Sequence, residues 1–270
     1  MSAVLPPGQL VVGMQLPVQS QSTIYAEAWE ASAGAAEVRR VAQAADGAGF
    51  WYVAVCDHVA VPRPAGETMG TEWWDTVATL GWLAGITSRV RLVSHITVLA
   101  YRHPLVTAKA WSTLDVVSDG RAVMGVGTGH VAGELALLGV DFARRGALLD
   151  EAIDAVRACF AEEYPSFAGQ EWRFADAGQR PRPVQPGGPS IWVGVHRRRP
   201  VAAPRSAATA GCPRGRSPPR MWPSSEPTGG RAAVTTPSTS APWPDRCTSG
   251  TRRGMWALRS VAHPRSWPTC

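Results

Sequence analysis

The chain has no basic opening followed by an apolar run of leader length, and no apolar stretch reaching the ~18–20 residues of a membrane span. A cytoplasmic protein with no membrane association is expected. Cysteine is scarce: Cys56, Cys159, Cys212, Cys247 and Cys270 are odd in number and widely spaced, which supports neither a disulfide framework nor a zinc site. No metal centre is expected, and Cys56 and Cys159 read as buried thiols. A Gly-x-Gly-x-x-Gly run opening a helix is also missing. After the first apolar run, Leu10–Leu16, stands Pro17-Val-Gln-Ser-Gln-Ser22, which decides against a dinucleotide fold.

Residues 195–270 are poor in almost everything that makes a core. They lack isoleucine, phenylalanine, tyrosine and lysine, keep a single leucine (Leu258), and carry 12 of the 23 prolines. They hold 13 Arg against Glu226 and Asp245, whereas residues 1–194 hold 14 Lys+Arg against 19 Asp+Glu. The formal net charge of +6 is therefore −5 joined to +11, and it describes neither part. A stretch of this composition cannot bury enough apolar surface to offset the entropy of ordering it, so a disordered tail is expected.

Back-translation offers a reason for the change at Val195. Read from the third base of each codon, Arg198–Ser206 permits Ala-Ala-Arg-Arg-Arg-Ala-Ala-Glu, and the following residues to Pro213 permit Arg-Gly-Asp-Gly-Trp-Leu-Pro. The result is a helix-forming run closed by a glycine turn. We read a frameshift close to Val195, which makes residues 195–270 non-native text. The alternative is a genuine basic arm that binds nucleic acid; the absence of Lys, Phe, Tyr and repeated Arg-Gly-Gly units disfavours it.

What is present in residues 1–194 is alternation. Short apolar runs that read as buried parallel strands lie at Leu10–Leu16, Trp51–Cys56, Val90–Leu99, Ala122–Val126 and Ile191–Val193. Helical spacing appears between them, in Val38, Val41, Ala42 and Ala45, in Val106, Ala110, Leu114 and Val117 after Pro104, and in Leu149, Ile153, Val156 and Phe160. With the dinucleotide fold set aside, the pattern predicts an α/β protein of the parallel (β/α)8 TIM-barrel type, incomplete at about five strands. The segment Phe167–Phe174 reads as an excursion inserted before the fifth strand.

In such a barrel the reactive residues stand at the carboxyl ends of strands. Asp57-His58 follows the second strand, placing at the mouth an imidazole that titrates near ~6.5 and can polarise or protonate a bound group. A histidine hydrogen-bonded within its loop is the plainer alternative. Gly125-Val-Gly-Thr-Gly-His130 follows the fourth strand, where backbone without side chains lets a flat cofactor or its phosphates approach; a tight strand-to-loop turn explains it equally. Thr97, Tyr101, Arg102 and His103 end the third strand. Arg102 could hold an anion, although an exposed arginine before a helix is commoner. The Trp73-Trp74 pair reads as packing against the barrel, and Arg144-Arg145-Gly146 as a solvated helix start followed by Asp150 and Glu151.

Taken in order, these pieces resemble the luciferase-like monooxygenase superfamily. The residues are Asp57-His58, Tyr101-Arg-His-Pro104, Ser118-Asp-Gly-Arg121, Gly125-Val-Gly-Thr-Gly129, Glu134, Leu138-Gly139, Arg145-Gly146, Asp150-Glu151 and Ile191-Trp-Val-Gly194. Within the superfamily they are most similar to the branch that uses the deazaflavin coenzyme F420, FMN being the alternative cofactor. The resemblance implies a barrel, residues 1–194 being its N-terminal part, that passes a hydride between the ring and a small-molecule substrate. It implies catalytic roles for His58 and Asp57, a ring resting on Thr97, and cofactor contacts at Gly125, Gly127, Thr128, Gly129 and Gly194. Loss of the later strands implies impaired activity, and a homodimer only if the barrel were complete.

Overall fold

The computed structural model describes residues 10–22 and 25–194 together with the backbone of residues 255–259. The chain alternates strand and helix: β1 (Leu10–Gln15), α1 (Ala35–Gly47), β2 (Tyr52–Val55), α2 (Arg63–Met69), α3 (Thr76–Ala84), β3 (Arg91–Ser94), β4 (Thr97–Val98), α4 (Pro104–Val117), β5 (Ala122–Gly127), α5 (Ala132–Leu137) and α6 (Arg145–Ala161). A small antiparallel hairpin, β6 (Phe167–Ala168) with β7 (Arg173–Phe174), is the expected excursion, and β8 (Ser190–Val193) follows it.

Strands β1, β2, β3, β5 and β8 pair in parallel in that spatial order, the five staves read from the sequence. The sheet does not close into a barrel among the described residues. The tail assigned to residues 195–270 lies outside the described residues except for β9 (Met255–Arg259), which pairs antiparallel with the outer edge of β1. That pairing departs from the expected disorder. A β1 edge with no parallel neighbour presents a row of backbone N–H and C=O groups, and backbone pairing does not require the composition of a core strand.

Two apolar layers lie on the two faces of the sheet. The larger sits under the helices and joins Val53, Val55, Leu92, Met124, Val126 and Ile191 to Leu80, Trp111, Val156 and Phe160. The smaller lines the concave face: Tyr52, Ala54, Val93 and Val123, with Trp51 and Trp192 packed against it. Trp51 and Trp192 stack with centroids 5.7 Å apart, and the Arg91 guanidinium lies 5.1 Å from the Trp51 ring.

The helical stripe Val106–Val117 is rotated in α4: Val106 and Val117 are exposed, and the buried face carries Pro104, Thr107, Ala108, Trp111 and Leu114. The bulky Trp111, 1 % exposed, sets the face, and a β-branched residue at the surface costs little. The run Val90–Leu99 is not one strand. It breaks at His95-Ile96 into β3 and β4, both against the same edge of β5, and ends in a 3-10 turn at Leu99–Tyr101.

Candidate functional site

A cleft of about 630 Å³ opens at the carboxyl ends of the strands, within the usual size range of small-molecule sites. Gln15 ends β1, Cys56, Asp57 and His58 follow β2, Ile96 and Val98 come from the β3–β4 bend, and Gly129 and His130 follow β5; all reach it. The parallel arrangement explains this convergence, since every strand delivers its C-terminal loop to the same end.

His58 is held by Glu134 of α5. The His58 Nδ1 lies 2.7 Å from Glu134 Oε2, and the Tyr101 hydroxyl donates to the same oxygen at 2.9 Å. The other oxygen, Oε1, accepts from the backbone N–H groups of Val59 (2.6 Å) and Ala60 (3.2 Å). Glu134 is fully buried. Burial alone would raise its pKa, but the bonds from His58 and the Val59 N–H, the His58 charge and the Tyr101 hydroxyl outweigh it and hold the carboxyl below its ordinary value. Burial first, and the Glu134 carboxylate next, push the Tyr101 phenol well above its ordinary value, so it stays a donor.

Asp57 is occupied differently. Arg102 binds it in a two-pronged pair at 2.7 and 2.8 Å, and the Val98 N–H donates to Oδ2 at 2.9 Å. Thr76 Oγ1, at the start of α3, lies 2.6 Å from the Cys56 carbonyl oxygen and 3.1 Å from Asp57 Oδ1. For Arg102, desolvation works to lower the pKa, but the bonds and charge of Asp57 prevail and raise it. Asp57 thus ties the ends of β2, β4 and α3 together, and Arg102 is half-buried rather than exposed, the anion it holds here being the Asp57 carboxylate.

The remaining sequence candidates separate. Gly129 lines the cleft, with a φ of +74° that a side chain would strain. Thr128, half-buried, bonds the Gly129 carbonyl. Gly125 and Gly127 are buried in β5, and protein already occupies the space a Cβ would take: the Ser94 carbonyl oxygen at Gly125, the Ile96 side chain at Gly127. These glycines make room for the β3–β4 bend. Thr97 is 2 % exposed, its hydroxyl has no hydrogen-bond partner, and it is not part of the cleft wall; alternation along β4 gives that place to Val98. Gly194 donates its N–H to the Val126 carbonyl and lies outside the cleft wall.

Trp73, read from sequence as barrel packing, instead lies against His58 with ring centroids 4.3 Å apart and lines the cleft. His130 approaches the same imidazole edge-on at 5.7 Å. A signal for Glu134 was present: it is the lone carboxylate in the apolar stretch Val131–Val140 directly after the glycine run. No group of three or more metal-ligating side chains occurs among the described residues. No helix of the described residues is long and apolar enough to cross a membrane.

The chain is similar to several known proteins. An uncharacterized protein of Mycobacterium tuberculosis is 33% identical over 157 residues, covering 54% of this chain and 56% of the relative. An F420-dependent glucose-6-phosphate dehydrogenase of Kineococcus radiotolerans is 37% identical over 123 residues, 42% of this chain and 36% of the relative. The crystal structure of the monooxygenase RslO1 from Streptomyces bottropensis superposes with a TM-score of 0.57 at 27% identity, covering 67% of this chain and 52% of that one. The chain spans about half the length of the curated relatives and solved structures it matches. The luciferase-like monooxygenase family profile matches residues 11–210, and the chain belongs to that family.

Proposed function

We propose that this chain carries the cofactor-facing part of an oxidoreductase that transfers a hydride between coenzyme F420 and a small organic substrate. The observation that carries the reading is His58, clamped by a buried carboxylate at the mouth of a cleft whose wall includes the apolar pair Ile96 and Val98. The cleft suits a flat ring: Gly129 leaves room at one side, Ile96 and Val98 offer an apolar face, and Trp73 and His58 stand at another side. When bound, the deazaflavin supplies the carbon that accepts or gives the hydride. The protein's own share is positional. His58 meets the substrate as general acid or hydrogen-bond donor, Ile96 and Val98 exclude water from one side, and Asp57 holds the loop that presents His58. Gly125, Gly127 and Thr97 act from behind, by fixing the bend that brings Ile96 forward.

The F420-dependent relative supports the choice of cofactor. The reading carries with it that residues 1–194 are the N-terminal part of the barrel, that residues 195–270 are out of frame, and that the chain works in the cytoplasm with impaired activity. The test is a parallel titration of F420 and FMN, followed by absorbance, into this chain and into one with the frame restored across the codons for Gly194–His196. The restored chain is expected to bind F420 in preference to FMN and to oxidise or reduce it, and the original chain to do so weakly. Preferential binding of FMN would replace F420 with the flavin reading. Turnover by the original chain at the rate of the restored one would overturn the claim of impairment.

A further inference from the structure

We infer that Glu134 is a positioning residue that fixes the tautomer of His58, so that Nε2 is the nitrogen at which a proton is taken from or returned to the substrate. The inference rests on the proposed role of His58 and names the group that controls it. An ionised carboxylate only accepts, and hydrogen bonding holds Glu134 below the ordinary carboxylate range. Its Oε1 is filled by two backbone N–H groups, of Val59 and Ala60, which cannot turn into acceptors. Its Oε2 faces His58 Nδ1 at 2.7 Å and the Tyr101 hydroxyl at 2.9 Å. The proton of the neutral imidazole therefore sits on Nδ1, and Nε2 carries the lone pair.

The surroundings hold the ring in that pose. Trp73 lies against His58 at 4.3 Å, and its indole N–H is already given to the Gly70 carbonyl, so it does not compete for the imidazole nitrogens. His130 packs edge-on at 5.7 Å. In its neutral form His58 is thus an acceptor toward the cleft, and in its protonated form it is a donor from Nε2. For a two-electron oxidation the balance would close: a substrate C–H bond would give up its hydride, which a bound deazaflavin would accept, the adjoining O–H or N–H bond would give its proton to Nε2, and the reverse reaction would return both.

The Glu134→Gln variant gives the sharpest test, because the amide must choose. Its oxygen is drawn to the two fixed backbone donors, which turns its NH2 toward Nδ1 and forces the His58 proton to Nε2. The measurement is the nitrogen-15 spectrum of the histidine side chains of the full chain, recorded well above the ordinary imidazole pKa without cofactor, with His58 assigned by its loss in His58→Gln. Wild type is expected to show a protonated Nδ1 and an unprotonated Nε2. Glu134→Gln is expected to exchange them, and Tyr101→Phe, which leaves the carboxylate in place, to keep the wild-type pattern. A wild-type His58 protonated on Nε2, or a folded Glu134→Gln with an unchanged pattern, would overturn the inference. The wild-type spectrum decides even where the variant does not fold. No cofactor enters the measurement, so its failure is separate from failure of the hydride-transfer reading.

Discussion

Tyr101 and Arg102, neighbours in sequence, serve two different carboxylates: the phenol bonds Glu134 and the guanidinium bonds Asp57. Both side chains come from the turn after β4, so a single short segment reaches both carboxylates of the site. The sign of its pH dependence follows from the Glu134 shift. A carboxyl held below its unfolded value stabilises the fold fully above that unfolded value, and the contribution is lost as pH falls through the folded value. Removing the phenol donor lets the folded value rise toward the unfolded one. Tyr101→Phe is expected to cost about 1.5–3 kcal/mol near neutrality, the range for a hydrogen bond to a charged group. The deficit should shrink as the solution is taken below the carboxylate range, where Glu134 is protonated in both proteins. Urea unfolding at a series of pH values checks this; a deficit that grows in acid would mean that Tyr101 acts elsewhere.

The β3–β4 bend decides what the cleft wall is made of, and it depends on two glycines in a different strand. At Gly125 an added Cβ would meet the Ser94 carbonyl oxygen, which is backbone and cannot swing aside; at Gly127 it would meet the end of the Ile96 side chain, which can. Gly125→Ala is accordingly expected to cost on the order of 3–4 kcal/mol, because β3 and β5 must separate. Gly127→Ala should cost about 1–3 kcal/mol as an overpacking change, while pushing Ile96 into the cleft and weakening cofactor binding more than stability. Denaturant unfolding and F420 titration of the two variants separate the effects, and equal stability losses would remove the distinction. This element also marks how far the sequence could be read. Asp57-His58 and the glycine run were visible because strand ends are where a parallel fold gathers its loops. The bend was not, because Val90, Leu92, Val93, Ile96, Val98 and Leu99 make one apolar-rich run with no glycine or proline to mark a break, and only the space above β5 divides it. The face of α4 was misplaced for a related reason: the apolar spacing of Val106 and Val117 matched a helix, while Trp111 chose the buried side.

At the scale of the molecule, the two faces of the sheet are in different conditions. The outer face is covered by α1, α3, α4 and α6, and its core residues are close to fully buried. The concave face holds a small cluster around Tyr52, Ala54, Val93 and Val123, which in a closed barrel would meet strands from the opposite side. Among the described residues the parallel order ends at β1 and β8, and β9 runs antiparallel to β1, which a stave of a parallel barrel does not do. Trp51 and Trp192 at the margin of that cluster stay only partly buried, and the surface that closure would remove from water there contributes to stability roughly in proportion to its area. A chain whose frame is restored after Gly194 is therefore expected to melt at a higher temperature than the original chain, and to lose the binding of an environment-sensitive apolar dye that the original chain retains. Differential scanning calorimetry and dye fluorescence on the two chains measure both quantities. Equal melting temperatures together with equally low dye binding would mean that residues 195–270 already do the work of the missing staves, and the out-of-frame reading of that stretch would fall with them.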